Sequence, residues 1–208
     1  MTSEALDVAP PDPPRIAWRK QMRERVLHEA WLLSTQAGWD RVRVADLAQR
    51  AEVSRPSIYA EFGDRAGIGQ ALVQRETERF LLGVGAVLDR QRGDVRAALE
   101  AGVGHALAQA KSNPFVAAVV SAAQGGTEAL LPYLSSRPEP VFSEARRLVA
   151  AWLDVVAPHI PEDRRKEAAD LVVRLTISHM LLPTPDGDSI PKRVAQAAHA
   201  VLEMPVDP

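Results

Sequence analysis

Along almost the whole chain apolar residues return every third or fourth position, and no segment sustains the strict alternation of a half-buried strand. Such a sequence commits to helices, and its glycines and prolines say where they stop. In residues 18–37, Met22, Val26, Ala30, Leu33 and Ala37 line one face, and Gly38 ends the run as a C-terminal cap. Two short elements follow. Residues 44–51 make about two turns, Glu52 and Val53 turn the chain, and Ser54 caps a helix over 55–62 whose first turn tolerates Pro56 because it needs no amide donor there. Gly63 ends that helix, Asp64 caps the next, and a long helix is expected over 65–92, kinked at Gly83 and Gly85. Further helices are expected over 94–111, 114–123, 128–134, 138–157, 162–182 and 190–202, divided by Gly93, Asn113-Pro114, Gly125-Gly126, Ser135-Ser136 and the proline-rich stretches at 158–161 and 183–188. The fold class is therefore all-α: an N-terminal three-helix unit over 15–64 and a helical bundle over 65–208.

Composition narrows the function. Hydrophobic residues at 46% and charged residues at 25% are the balance of a soluble globular protein. With no cysteine, disulfides, thiol nucleophiles and cysteine-based zinc sites are excluded, which fits a reducing cytoplasm. His28, His105, His159, His179 and His199 lack close metal-ligand spacing, so neither metal nor cofactor is expected. Residues 1–14 are acidic and proline-rich, with no basic start or apolar run, and read as a disordered tail rather than a signal peptide. No stretch is long and apolar enough to span a bilayer.

The net charge of −2 argues against nucleic acid until it is resolved along the chain. Residues 15–65 carry ten Lys/Arg against seven Asp/Glu, whereas 66–208 are mildly acidic. A basic front and an acidic rear suit a DNA-reading module joined to a domain with another task. Arg19, Lys20, Arg23 and Arg25 cluster near the start of the first helix, where the helix dipole disfavours cations. Either an anion lies nearby or the face is simply solvated.

Between Val44 and Phe62 the pattern becomes specific. Leu47, Ala48 and Ala51 are placed to face Val53, Ile58 and Phe62, two short helices packed at a steep angle with a small residue where they approach. Arg55, Pro56, Ser57, Tyr59 and Ala60 are left without core duty. In a helix-turn-helix the second helix enters the major groove with its N-terminal residues at the base edges. Arg55 suits a bidentate pair with guanine, Ser57 donates or accepts, and the Tyr59 hydroxyl suits a phosphate.

The run GWDRVRVADLAQRAEVSRPSIYAEFGDR, residues 38–65, resembles the DNA-binding signature of the TetR family of transcriptional regulators. The matching residues are Gly38, Trp39, Val44, Asp46, Leu47, Ala48, Ala51, Val53, Ser54, Tyr59 and Phe62. Three positions depart from the signature. Arg43 replaces a capping threonine and offers a cation for phosphate instead. Glu52 replaces the turn glycine, which strains the turn and brings an acid towards DNA. Arg65, after Asp64, replaces a lysine and keeps a phosphate donor. With Val44 at the helix start, the DNA-contacting set is Arg43, Val44, Arg55, Pro56, Ser57, Tyr59 and Arg65.

The resemblance also implies a dimerising, ligand-sensing second domain. Residues 138–157 and 162–182 carry apolar stripes wider than one core face needs, as two helices per subunit would in a four-helix interface about a two-fold axis. Polar or aromatic side chains among apolar faces are the ligand candidates: His105, Gln109, Phe115, Tyr133, Trp152, Arg174 and His179. The partners implied are double-stranded DNA, a second copy of the chain and a small apolar or amphipathic effector, with no membrane. The reading is a regulator, a repressor released from a palindromic operator by its effector. A catalytic role finds no paired nucleophile and base and no phosphate cradle. A protein-interaction adaptor that has lost DNA binding stays open because of Glu52, Glu61 and Asp64.

Overall fold

The structure, a computed structural model, describes residues 13–114, 116, 117, 139–184 and 189–204, and among them there is no strand. The chain forms two compact units, Met1–Ile68 and Gly69–Pro208.

In the first unit, α1 (Pro14–Ala37) is followed by a 3-10 turn (Trp39–Arg41), α2 (Val44–Arg50) and α3 (Arg55–Phe62), and α4 (Arg65–Asp89) begins at its end. α1 starts four residues earlier than its periodicity suggests. Pro14 supplies a pre-set φ at a position that needs no amide hydrogen, and the Pro13 carbonyl accepts from the amides of Ile16 and Ala17 at 2.8 and 3.0 Å. Residues 13 and 14 thus start a helix rather than end a tail, while 1–12 lie outside the described residues. Gly38, at φ +82°, ends α1 as expected and donates its amide to Ser34. Met22, Val26, Leu27 and Ala30 of α1 are buried with Trp39, Val42, Leu47, Ala48, Ala51, Ile58, Phe62 and Ile68. This core is small, so each member matters: truncating fully buried Leu47 or Ile58 to alanine costs about 2–5 kcal/mol.

The second unit holds the rest of α4 with α5 (Val95–Ser112), α6 (Glu139–Val156), α7 (Glu162–Leu181) and α8 (Ile190–Glu203). Leu88, Leu99, Val103, Val149, Trp152, Leu153, Val172, Val173, Val194 and Leu202 make its core. Alanines at 168, 169, 195 and 198 let α7 and α8 approach. α5 opens on Asp94, whose carboxylate accepts from the Ala97 amide at 3.0 Å.

α4 is helical without interruption through Gly83 and Gly85, and close approaches occur at Gly83 and at Gly102 of α5. A Cβ on Gly83 would stand 3.0 Å from Nε2 of His105, and one on Gly102 would stand 2.9 Å from Leu88 Cδ2. α4 ends at Asp89, three residues before the expected Arg92, because the chain turns through Arg90–Asp94 on successive i to i−3 hydrogen bonds. Of the helix expected over 114–123 only Pro114, Val116 and Ala117 are described, all helical. The helix expected over 128–134 lies outside the described residues.

Candidate nucleic-acid interface

The turn between α2 and α3 is a Schellman motif. The Val53 amide reaches back to the Ala48 carbonyl at 3.0 Å and the Glu52 amide to Gln49 at 3.3 Å. This closure requires a left-handed residue at Glu52, which sits at φ +54°, the one non-glycine positive φ among the described residues. The strain expected from replacing a glycine there is therefore present. Ser54 then caps α3: its Oγ accepts from the Ser57 amide at 3.2 Å and lies 2.8 Å from the Ser57 hydroxyl.

Ile58 and Phe62 of α3 are buried, whereas Arg55, Pro56, Tyr59 and Ala60 are exposed. Arg55 and Tyr59 are four residues apart and share a face, and Tyr59 is 49% exposed despite its large apolar ring. Ser57 is half-buried at the edge of this surface. At the start of α2, Arg43 is exposed and makes no side-chain cap, as expected, and Val44 is half-buried beside it. The Arg50–Glu29 ion pair, at 3.2 Å, ties α2 to α1.

Arg65 is placed differently from the expectation that it reaches for phosphate. Its guanidinium donates to the Trp39 carbonyl, lies 5.2 Å from the centre of the Trp39 ring and stands 3.9 Å from the Asp40 carboxylate. The side chain pins the 3-10 turn to the start of α4. Asp64 is likewise engaged: its Oδ1 accepts from the Gly67 amide at 2.8 Å and caps α4. Glu61 accepts from Nε of Arg19 at 2.5 Å and Nη1 of Arg23 at 3.1 Å. The anion near the basic start of α1 is this carboxylate, forty-two residues away in sequence. Two of the three acids that kept the adaptor alternative open are thus paired inside the protein, and Glu52 alone stays exposed without such a role.

The ligand candidates are scattered. His105 and Gln109 are half-buried on α5, His179 is half-buried on α7, and Trp152 is buried in the core, its indole N–H without an acceptor among the described residues. Arg174 is exposed. It donates from Nε to Asp170 at 2.6 Å, which raises its pKa above the ordinary value, and it lies 4.7 Å over the Phe142 ring. Phe115 and Tyr133 lie outside the described residues. On the same unit, Val155 of α6 and Leu182 at the end of α7 are 65% and 72% exposed, and Phe142, Leu148, Leu175 and Ile177 are only partly buried. Among the described residues no helix is long and apolar enough to cross a membrane.

The geometry agrees with what this chain is similar to. Residues 26–72 match the bacterial regulatory proteins of the tetR family, and residues 94–200 match the C-terminal domain of the bacterial tetracyclin repressor. The HTH-type transcriptional regulator AlkX of Mycobacterium tuberculosis is 28% identical over 191 residues, 90% of this chain and 89% of its own length. Among solved structures, the TetR family repressor AlkX from Dietzia sp. strain DQ12-45-1b superposes with a TM-score of 0.65 at 24% identity, covering 86% of this chain and 94% of that one. A TetR-family transcriptional regulator from Pectobacterium atrosepticum superposes with a TM-score of 0.61 at 16% identity, covering 89% and 94%. The second match alone spans half of the sequence and the first covers the helix-turn-helix, so the chain belongs to the tetR family and is a DNA-binding transcriptional regulator.

Proposed function

We propose that this regulator is a homodimeric repressor that reads a palindromic operator through α3 and leaves it when an apolar effector enters the unit built from α5 to α8. The observation that carries the DNA half is the exposure of the start of α3. Ile58 and Phe62 fix the helix to its core, while Arg55, Pro56 and Tyr59 are left exposed. Arg55 pairs with a guanine edge, Ser57 and Pro56 contact the groove wall, Tyr59 bonds a phosphate, and Arg43 and Val44 meet the backbone at the start of α2. Arg65 acts indirectly by holding Trp39. The dimer sets two such helices about 34 Å apart, one turn of duplex. Its interface is formed by α6 and α7, supported by the exposure of Val155 and Leu182 on an isolated chain.

The effector half rests on polar groups set among apolar helices: the half-buried His105, Gln109 and His179, and the indole of Trp152, whose N–H has no acceptor among the described residues. Phe115 and Tyr133 are retained as candidates, whereas exposed Arg174 is a weaker one. The Dietzia regulator is implicated in biodegradation of n-alkanes, which supports an effector with a hydrocarbon chain. Release requires that effector and operator favour different states, and the coupling is then reciprocal. The test is selection of duplexes from a random pool, followed by titration of the bound complex with n-alkanes and n-alkanols. A palindromic consensus and release by a chain-length-dependent subset support the reading. A selected site without two-fold symmetry contradicts the dimer, and binding unaffected by every chain contradicts this effector class.

A further inference from the structure

An acid in the last turn of a DNA-reading helix is unfavourable twice over, because the helix C-terminus and the phosphates are both negative. Glu61 occupies that place on α3, yet its side chain is only 7% exposed. It is covered by two guanidiniums from α1. Arg23 bonds Oε1 at 3.1 Å and lies 5.1 Å from the centre of the neighbouring Phe62 ring, which fixes it against the core. Arg19 bonds Oε2 at 2.5 Å through Nε alone, and its side chain remains 66% exposed. An arginine carries five donors, so the bond to Glu61 leaves its outer nitrogens available. One carboxylate against two guanidiniums leaves the cluster with a surplus positive charge at its exposed end. Arg15, also exposed, lies one turn earlier on the same face of α1, so Arg15, Arg19 and Arg23 form a row along α1.

We propose that Glu61 is a positioning residue for DNA binding: it orients Arg19 on α1 so that the arginine contacts a backbone phosphate flanking the groove that α3 reads. An acid of the recognition helix thereby raises affinity for DNA. A long exposed arginine ordinarily loses side-chain entropy when it binds, and the bond to Glu61 removes part of that loss before DNA arrives. The inference rests on α3 being the helix in the groove.

The experiment measures binding by the full-length chain to a duplex selected from a random pool by the wild type, between about 50 and 200 mM salt. Glu61→Gln is expected to weaken binding roughly tenfold, the loss of about one charge-assisted bond, although it makes the protein more positive. Arg19→Gln weakens binding similarly and reduces the slope of log affinity against log salt by about 0.9, the contribution of one phosphate. Arg19→Lys retains that slope with part of the affinity. The double variant Glu61→Gln/Arg19→Gln binds no more weakly than Arg19→Gln. Tighter binding by Glu61→Gln overturns the proposal, since the acid then merely repels DNA. An unchanged salt slope in Arg19→Gln, a surface substitution that leaves the core intact, also overturns it and makes the cluster a tie between α1 and α3. Arg55→Ala run in parallel separates the two readings. If it keeps full sequence preference, the groove-reading role of α3 fails, whatever Arg19 does.

Discussion

Glu52 occupies the left-handed corner that the Schellman turn between α2 and α3 demands, at φ +54°. A side chain there costs about 1–2 kcal/mol relative to glycine, partly offset because glycine gains more freedom in the unfolded chain. Glu52→Gly is therefore expected to stabilise the protein by about 0.5–1 kcal/mol, a rise in Tm of a few degrees in thermal unfolding followed by circular dichroism. A fall in Tm contradicts the strain. The opposite case is Gly67, in the first turn of α4. A Cβ at this position would stand 1.8 Å from the Phe62 carbonyl oxygen and 3.0 Å from its carbon, backbone atoms that cannot swing aside. Gly67→Ala is expected to destabilise the first unit by about 3 kcal/mol or more and to abolish DNA binding with it. Wild-type denaturant and thermal midpoints in that variant contradict the close approach. The strain at Glu52 was legible in the sequence, because the residue stands where a local motif wants glycine. The need for Gly67 was not, because it arises from how α3 turns into α4.

Among elements, legibility follows sequence separation. The α2-turn-α3 unit was readable almost to the residue, since its caps, its turn and its core positions lie within about twenty residues and each has a local chemical reason: Ser54 bonds the Ser57 amide, Pro56 sits in a first turn, and Gly63 ends the helix. The partners of its charged residues were not readable. Glu61 finds Arg19 and Arg23 across about forty residues, and Arg65 finds Trp39 across twenty-six, so charge runs that suggested solvent or phosphate are in part internal ties. The glycines of α4 were read for propensity alone, whereas the approach of His105 to Gly83 also accounts for that residue. In the bundle, the stripes of α6 and α7 were broader than the core uses. Trp152, Leu153, Val172 and Val173 are buried, whereas Val155 and Leu182 are left outside. The ligand candidates stayed diffuse because a pocket is assembled from several helices, and no single periodicity encodes it.

For the whole molecule, the proposed dimer would give that leftover apolar surface its use. Burying a Val or Leu side chain contributes about 1.5–3 kcal/mol, so a charge introduced at either position is costly in an interface and nearly neutral on a free surface. Val155→Glu and Leu182→Glu are expected to shift the protein from two chains to one in size-exclusion chromatography with light scattering, with helical content unchanged. If each half of a palindrome is held by one subunit, as proposed, the same variants lose much of their operator affinity at low protein concentration. Variants that remain dimers place the interface elsewhere on the molecule.

α3 is proposed to read DNA through its exposed N-terminal residues. Fluorescence anisotropy with duplex from the region flanking the protein's own coding sequence, comparing wild type with Arg55→Ala and Tyr59→Phe across a salt series, is the decisive measurement. If that duplex is not bound, a duplex selected from a random pool takes its place. Arg55→Ala is expected to lose about 1–3 kcal/mol of discrimination between the bound site and a scrambled one, while residual binding keeps most of its salt dependence. Tyr59→Phe weakens both duplexes alike. Undiminished discrimination in Arg55→Ala would mean that α3 is not the helix that reads the sequence.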